Sequence, residues 1–148
     1  MKWIKPKIFI VDDDSIYLAI MNQQFKNHGV ENVTVYESAF DGIKSNFGKP
    51  DIVFVDFHMN DINGARASKM FNRKWKNARI VLISNSDSIK KKVKLSRYKI
   101  DAAVLKDADF SEILNQVNIT KRNIVFRIFL RILIIATFAL GVYMLFFR

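Results

Sequence analysis

Short apolar runs, each closed by polar or turn-forming residues, alternate along most of this chain with longer stretches whose apolar residues recur at helical spacing. The runs at 7–11 (Lys-Ile-Phe-Ile-Val), 33–36, 52–55, 79–83 and 102–105 read as five strands. A brief, unbroken apolar run bounded by turn signals is the pattern of a strand buried on both faces. The first intervening helix opens with Asp14 or Ser15 as its cap and carries Ile16, Ala19, Ile20 and Phe25. It stops at His28-Gly29, where a glycine suits the left-handed position after a helix. A second helix covers 38–47 and is broken by Gly48-Lys49-Pro50. A third covers 64–75, with Ala67, Met70, Phe71 and Trp75 on one stripe. A basic helix covers 89–98, and a fifth begins at 110 and runs to 117.

Five strands alternating with five helices over about 115 residues, joined by short loops, predict an α/β fold. Its parallel sheet has helices on both faces. No Gly-x-Gly-x-x-Gly follows the first strand, and no Gly-x-x-x-x-Gly-Lys-Ser/Thr loop occurs. Dinucleotide binding and P-loop nucleotide chemistry therefore have no local support.

Composition narrows the chemistry further. The 148 residues contain no cysteine, so neither disulfides nor thiolate catalysis are available, and two histidines are too few for an ordinary structural zinc site. The formal charge is +10, yet the last 28 residues hold five Lys/Arg and no Asp/Glu. Half of the basic excess thus belongs to the tail. The opening Met1-Lys2-Trp3-Ile4-Lys5-Pro6 lacks the apolar core of a secretory signal.

In a parallel sheet all carboxyl ends of the strands point to one edge, and ligands bind there. The residues expected at that edge are Asp12 and Asp13 after strand one, Asp56 after strand three, Ser84 after strand four and Lys106 after strand five. Clustered carboxylates repel one another. A hard divalent cation with oxygen ligands relieves that repulsion, and Mg2+ typically takes one or two carboxylates plus waters and phosphate oxygens. A carboxylate can itself be the nucleophile in phosphoryl transfer. The alternative for Asp56 alone is a helix cap.

Together these residues resemble the receiver domain of two-component response regulators. The resemblance covers 7–117 and rests on Asp12-Asp13, Asp56, the Met59…Gly64 loop, Ser84 and Lys106, in that order. It implies a flavodoxin-like (CheY-like) fold with strand order 2-1-3-4-5. It implies that Asp56 accepts a phosphoryl group from a histidine kinase or phosphotransfer protein in a phosphorelay. It implies Mg2+ held by Asp13, Asp56 and the backbone carbonyl of His58, with Asp12 acting through water. Ser84 would hydrogen-bond the phosphoryl group and Lys106 would pair with it. Such a domain is a phosphoacceptor rather than an enzyme, with at most self-catalysed phosphotransfer and dephosphorylation. The chain departs from the family pattern at Asn60 and Asp107, both usually proline, at Asn85, usually alanine, and at Ala103, usually an aromatic switch. Those departures keep open a receiver-like interaction module that no longer needs phosphate. A phosphatase of the haloacid-dehalogenase type, built on Asp12-x-Asp14, Ser84 and Lys106, leaves Asp56 unexplained.

The tail has a different pattern. Residues 132–147 carry no charge, and 128–147 carry only Arg131. A spanning helix needs about 20 mostly apolar residues. Lys121, Arg122, Arg127 and Arg131 flank the N-terminal side, which the positive-inside tendency places in the cytoplasm. The expected division is a receiver-like domain over 1–118, a basic juxtamembrane linker over 119–131 and a transmembrane helix over 128–147. The competing role for the tail is a dimerising helix. The basic residues of 89–98 suit either a solvated face or contact with anionic lipid. His58 is either an exposed loop residue or a modulator of water access to Asp56, and His28 suits a helix C-terminus. No DNA-binding module follows, so direct DNA binding is not expected.

Overall fold

The computed structural model describes residues 4–85 and 98–146. The expected helix over 89–98 therefore lies outside the described residues, apart from Tyr98. The described elements are β1 (Ile8–Val11), α1 (Ser15–Asn27), β2 (Val33–Tyr36), α2 (Ala39–Lys44), β3 (Ile52–Asp56), α3 (Gly64–Lys74), β4 (Arg79–Ser84), β5 (Ala102–Leu105) and a long C-terminal helix, α4 (Phe110–Phe146).

All strand pairs are parallel, in the order β2-β1-β3-β4-β5. This is the flavodoxin-like arrangement expected from the sequence. The three inner strands are almost wholly buried, whereas β2 and β5 at the edges are only partly so. Alternation along each strand sends side chains to opposite faces. Phe9, Val11, Val53, Val55, Ile80 and Leu82 meet Ala67, Phe71 and Trp75 on one side. Ile8, Ile10, Ile52, Phe54, Val81 and Ile83 meet Leu18, Met21 and Phe25 of α1 and Ile113 and Val117 of α4 on the other. One sheet therefore separates two apolar layers, and each needs its own covering helices.

Helix α1 corrects one expectation. Its inward face is Leu18, Met21 and Phe25, while Ile16 and Ile20 are 71 % and 53 % exposed. Ile16 and Ile20 are a turn apart and share a stripe, but it points to solvent; Phe25 and Leu18, seven apart, set the buried one. Asp14 is the cap, accepting from the backbone N–H groups of Ile16 and Tyr17, and Gly29 follows the helix with φ 69°. Helix α2 is shorter than expected. Ser38 caps its start and it ends at Lys44, with Ser45 as the C-terminal cap, leaving Phe47 exposed.

The C-terminal helix is longer than its expected first segment. It continues without interruption from Phe110 to Phe146, so residues 119–131, read as a linker, are helical. No proline lies in it and its first glycine is Gly141, so nothing in the backbone chemistry stops it. Asp109 opens it by accepting from the Ser111 N–H at 2.7 Å. Its first three turns pack on the sheet through Ile113, Val117 and the buried Thr120. Gln116 there accepts from the guanidinium of Arg79 at 2.8 Å. Beyond Arg127 every described side chain of the helix is exposed.

Candidate functional site

The strand order reverses at β1, whose neighbours are β2 and β3. A crevice opens at such a point, outside the carboxyl ends of the strands. Asp12 and Asp13 follow β1 directly, Asp56 is the last residue of β3, Ser84 the last of β4, and Lys106 follows β5. In the register Asp56 lies opposite Ile83, and Ser84 lies opposite Leu105, so each polar residue ends its strand within one position of the next. The sheet thus collects at one edge every side chain that the sequence assigned to the site.

The carboxylates converge. One oxygen from each of Asp12, Asp13 and Asp56 lies within 4.8 Å of the others. Asp12 and Asp56 are 1 % and 2 % exposed, and Asp13 is half-buried. The Lys106 ammonium bridges the two buried ones, 2.7 Å from Asp12 Oδ2 and 3.3 Å from Asp56 Oδ1. It does so from a trans Lys106–Asp107 peptide; no cis bond occurs among the described residues. Aspartate at 107, where the family usually has proline, therefore leaves Lys106 aimed at both buried carboxylates.

Backbone donors hold the remaining oxygens. The Asp14 N–H donates to Asp12 Oδ1 at 3.0 Å, and the His58 N–H donates to Asp56 Oδ2 at 3.1 Å. The Asn60 N–H donates to Asp13 Oδ2 at 2.8 Å. A proline at position 60 would have no N–H to give. The loop between β3 and α3 is drawn close by Gly64, whose N–H donates to the Phe57 carbonyl at 3.0 Å. A Cβ on Gly64 would lie 2.0 Å from the Asp56 carbonyl oxygen, so only glycine fits.

Electrostatics follow from burial. It pushes the Asp56 carboxyl above its ordinary range, and the charge on Asp12 adds to the push against the opposing pull of Lys106. It raises Asp12 likewise, with Lys106 pulling back. Burial would lower Lys106, but its contacts with Asp12 and Asp56 outweigh that and raise it. Three carboxylates around one ammonium leave two negative charges uncompensated when all are ionised. A divalent cation with oxygen ligands balances them, so the donor set fits Mg2+.

Two contributions escape a reading of the sequence. Tyr17, in the first turn of α1, places its ring 4.7 Å from the Lys106 ammonium. Its buried hydroxyl has no hydrogen-bond partner among the described residues, and burial followed by the charges of Asp12 and Asp56 pushes its pKa up. A ring facing a cation attracts it through the quadrupole. Nothing in the local pattern marks Tyr17, because its partner is 89 positions away in the chain. Asn60 is visible only as a missing proline. His58 offers its N–H to Asp56, while its ring is exposed and stacks edge-on against Phe57 at 4.7 Å. Asp14, required by the dehalogenase-like alternative, spends its carboxylate on capping α1.

Comparison with known proteins bears out the fold. Residues 8–118 match the response regulator receiver domain family. The Thermotoga maritima response regulator TrrA, solved in complex with Mg2+–BeF, is 25 % identical, with a TM-score of 0.68 over 78 % of this chain and 98 % of its own. The receiver domain of a putative Luxo repressor from Vibrio parahaemolyticus is 14 % identical, with a TM-score of 0.72 over 86 % and 98 %. A Francisella response regulator receiver domain is 22 % identical, with a TM-score of 0.70 over 80 % and 98 %. No curated protein matches the chain. With a family match over three quarters of its length and the shared five-stranded fold, this chain belongs to the receiver domain family of two-component response regulators.

Proposed function

We propose that the chain is a membrane-anchored receiver that takes a phosphoryl group onto Asp56 in an Mg2+-dependent reaction. Receiver domains are signalling domains that interact with histidine kinases or phosphotransfer proteins, and such a protein would be the donor here. The observation that carries the reading is the convergence of Asp12, Asp13 and Asp56 oxygens within 4.8 Å, with Lys106 bridging Asp12 and Asp56. An Asp56 carboxylate oxygen attacks phosphorus, the new P–O bond forms, and the bond to the donor breaks with its electron pair leaving on the donor. Asp13, Asp56 and the His58 carbonyl would hold Mg2+, with Asp12 reaching it through water. Bound there, the ion offsets charge on the transferring group. Lys106 sits against Asp56 Oδ1 and pairs with a phosphoryl oxygen. Ser84, buried at the end of β4, supplies a hydroxyl toward the same group. TrrA, the relative solved with Mg2+–BeF, supports the metal assignment.

The anchor is the apolar part of α4, which is long and apolar enough to cross a membrane and is wholly exposed there. The proposed division is a receiver over 1–118, basic juxtamembrane residues over 119–131, and a spanning segment over 128–147. Receiver domains are normally cytoplasmic, and the flanking cations favour that side for this one.

Incubation of the full chain in detergent with a small phosphodonor and Mg2+ should label the protein, and Asp56→Asn should abolish labelling. Labelling that persists in Asp56→Asn but disappears in Asp12→Asn would instead support a hydrolase. Absent labelling, together with partner binding indifferent to an acyl-phosphate mimic, would favour the phosphate-independent module.

A further inference from the structure

Helix α4 runs back along the sheet from the carboxyl edge and leaves it at the opposite edge, where the strands begin. Where it leaves, a recess of about 590 Å3 opens between the helix, the segment before β1 and the turn from α1 to β2. It is lined by Lys5, Glu31, Asn115, Asn118, Lys121 and Arg122 among others. Lys5 and Glu31 pair across it at 3.1 Å and cancel. Lys121 and Arg122 make no ion pair among the described residues, so the recess keeps an excess of two positive charges. Asparagine amides beside an ammonium and a guanidinium are donors suited to a phosphate, which Arg engages with two parallel hydrogen bonds.

The position of the recess, beside the start of the proposed spanning segment, favours a phosphate at the membrane surface. Arg122 precedes Ile128 by six residues of uninterrupted helix, about 9 Å of rise. The headgroup layer extends about 5–8 Å beyond the hydrocarbon on each side. The long Lys121 and Arg122 side chains cover the difference.

We propose that this recess binds the phosphate of an anionic phospholipid headgroup, so that the domain stands on the leaflet with the edge bearing Asp56 turned to the cytoplasm. The inference rests on the membrane reading of α4. It adds to that reading a specific subsite and a fixed orientation. A continuous helix without proline or glycine before Gly141 transmits that orientation, and the contacts of Gln116 with Arg79 and of Arg127 with the Asn77 carbonyl hold the helix to the base of the sheet.

The full chain is reconstituted into nanodiscs of phosphatidylcholine alone or with phosphatidylglycerol. Retention in both disc types tests the anchor by itself. Thermal unfolding of the receiver is then expected to rise by about 5 °C in the phosphatidylglycerol discs. Amide exchange is expected to slow over 28–32 and 115–122. Lys121→Gln with Arg122→Gln should remain in the discs and lose both effects. Arg66→Gln with Lys69→Gln, on the distal half of α3, should keep them. Equal loss in the two pairs would mean diffuse charge attraction and overturn the subsite. Inorganic phosphate that reproduces the shift in phosphatidylcholine discs would assign the recess to a soluble anion instead. Retention without any lipid-dependent shift leaves the anchor standing and refutes the recess, whereas failure to enter either disc refutes both.

Discussion

Gly64 is under a tight steric constraint beside Asp56, the proposed phosphoacceptor. Its missing side chain lets the loop after β3 close directly over the Asp56 backbone. Gly64→Ala must displace one or the other, and is expected to cost about 1–3 kcal/mol in stability and to slow labelling of Asp56. Denaturant unfolding and phosphodonor labelling measured on the same variant check both effects. The buried carboxylates make a second prediction. Burial holds Asp12 above its ordinary range in the metal-free protein. A carboxyl whose native pKa exceeds its unfolded value binds more protons when folded, so its contribution to stability falls as pH rises between the two values. Above the native value the penalty is complete. In EDTA at neutral pH, Asp12→Asn should therefore be more stable than the parent. The difference should shrink as pH falls through the native value toward the ordinary carboxylate range. Added Mg2+ should stabilise the parent more than the variant. A gain from Asp12→Asn that grows on acidification would refute this account.

The helices show how a periodic pattern can be right about an element and wrong about its face. α3 is legible except at Met70, which the expected stripe included but which is only half-buried and outside both core layers. Ala67, Phe71 and Trp75 are spaced as a stripe and are buried, with Phe71 and Trp75 stacked at 5.8 Å. On α1 two apolar stripes compete, and only the sheet chooses between them. Phe25 is fully buried and touches Phe54 and Phe110 at ring distances of 6.0 and 5.0 Å. Phe25→Ala should cost about 3–5 kcal/mol. Ile16→Ala, on the exposed stripe, should stay within about 0.5 kcal/mol. Chemical denaturation of the two variants side by side separates them. A large loss for Ile16→Ala would mean that its face is covered in the folded protein.

Across the molecule, the proposed function divides between the two ends of the sheet. The carboxyl edge gathers the proposed phosphoacceptor and the residues around it, and the opposite edge releases the helix proposed to enter the bilayer. Removing residues 121–148 should free the protein from carbonate-washed membranes without exposing the second apolar layer, because Ile113, Val117 and Thr120 remain. Membrane fractionation of the truncated and full chains tests this, and a truncated protein still held in the bilayer would sink the anchor assignment.

Local pattern specified the five strands, because short apolar runs closed by turn-forming residues and alternating with helical stretches favour strands of a covered sheet. It also located Asp12, Asp13, Asp56, Ser84 and Lys106, because strand ends follow from strand limits and a parallel sheet aligns them. Three things needed the assembled fold: the burial of Leu18 and Met21 in place of Ile16 and Ile20, the approach of Tyr17 to Lys106, and the grip of the Asn60 N–H on Asp13. Each depends on atoms brought together from distant parts of the chain. Backbone propensity and short-range spacing carry no record of those distances, whereas packing two layers on one sheet sets them all at once.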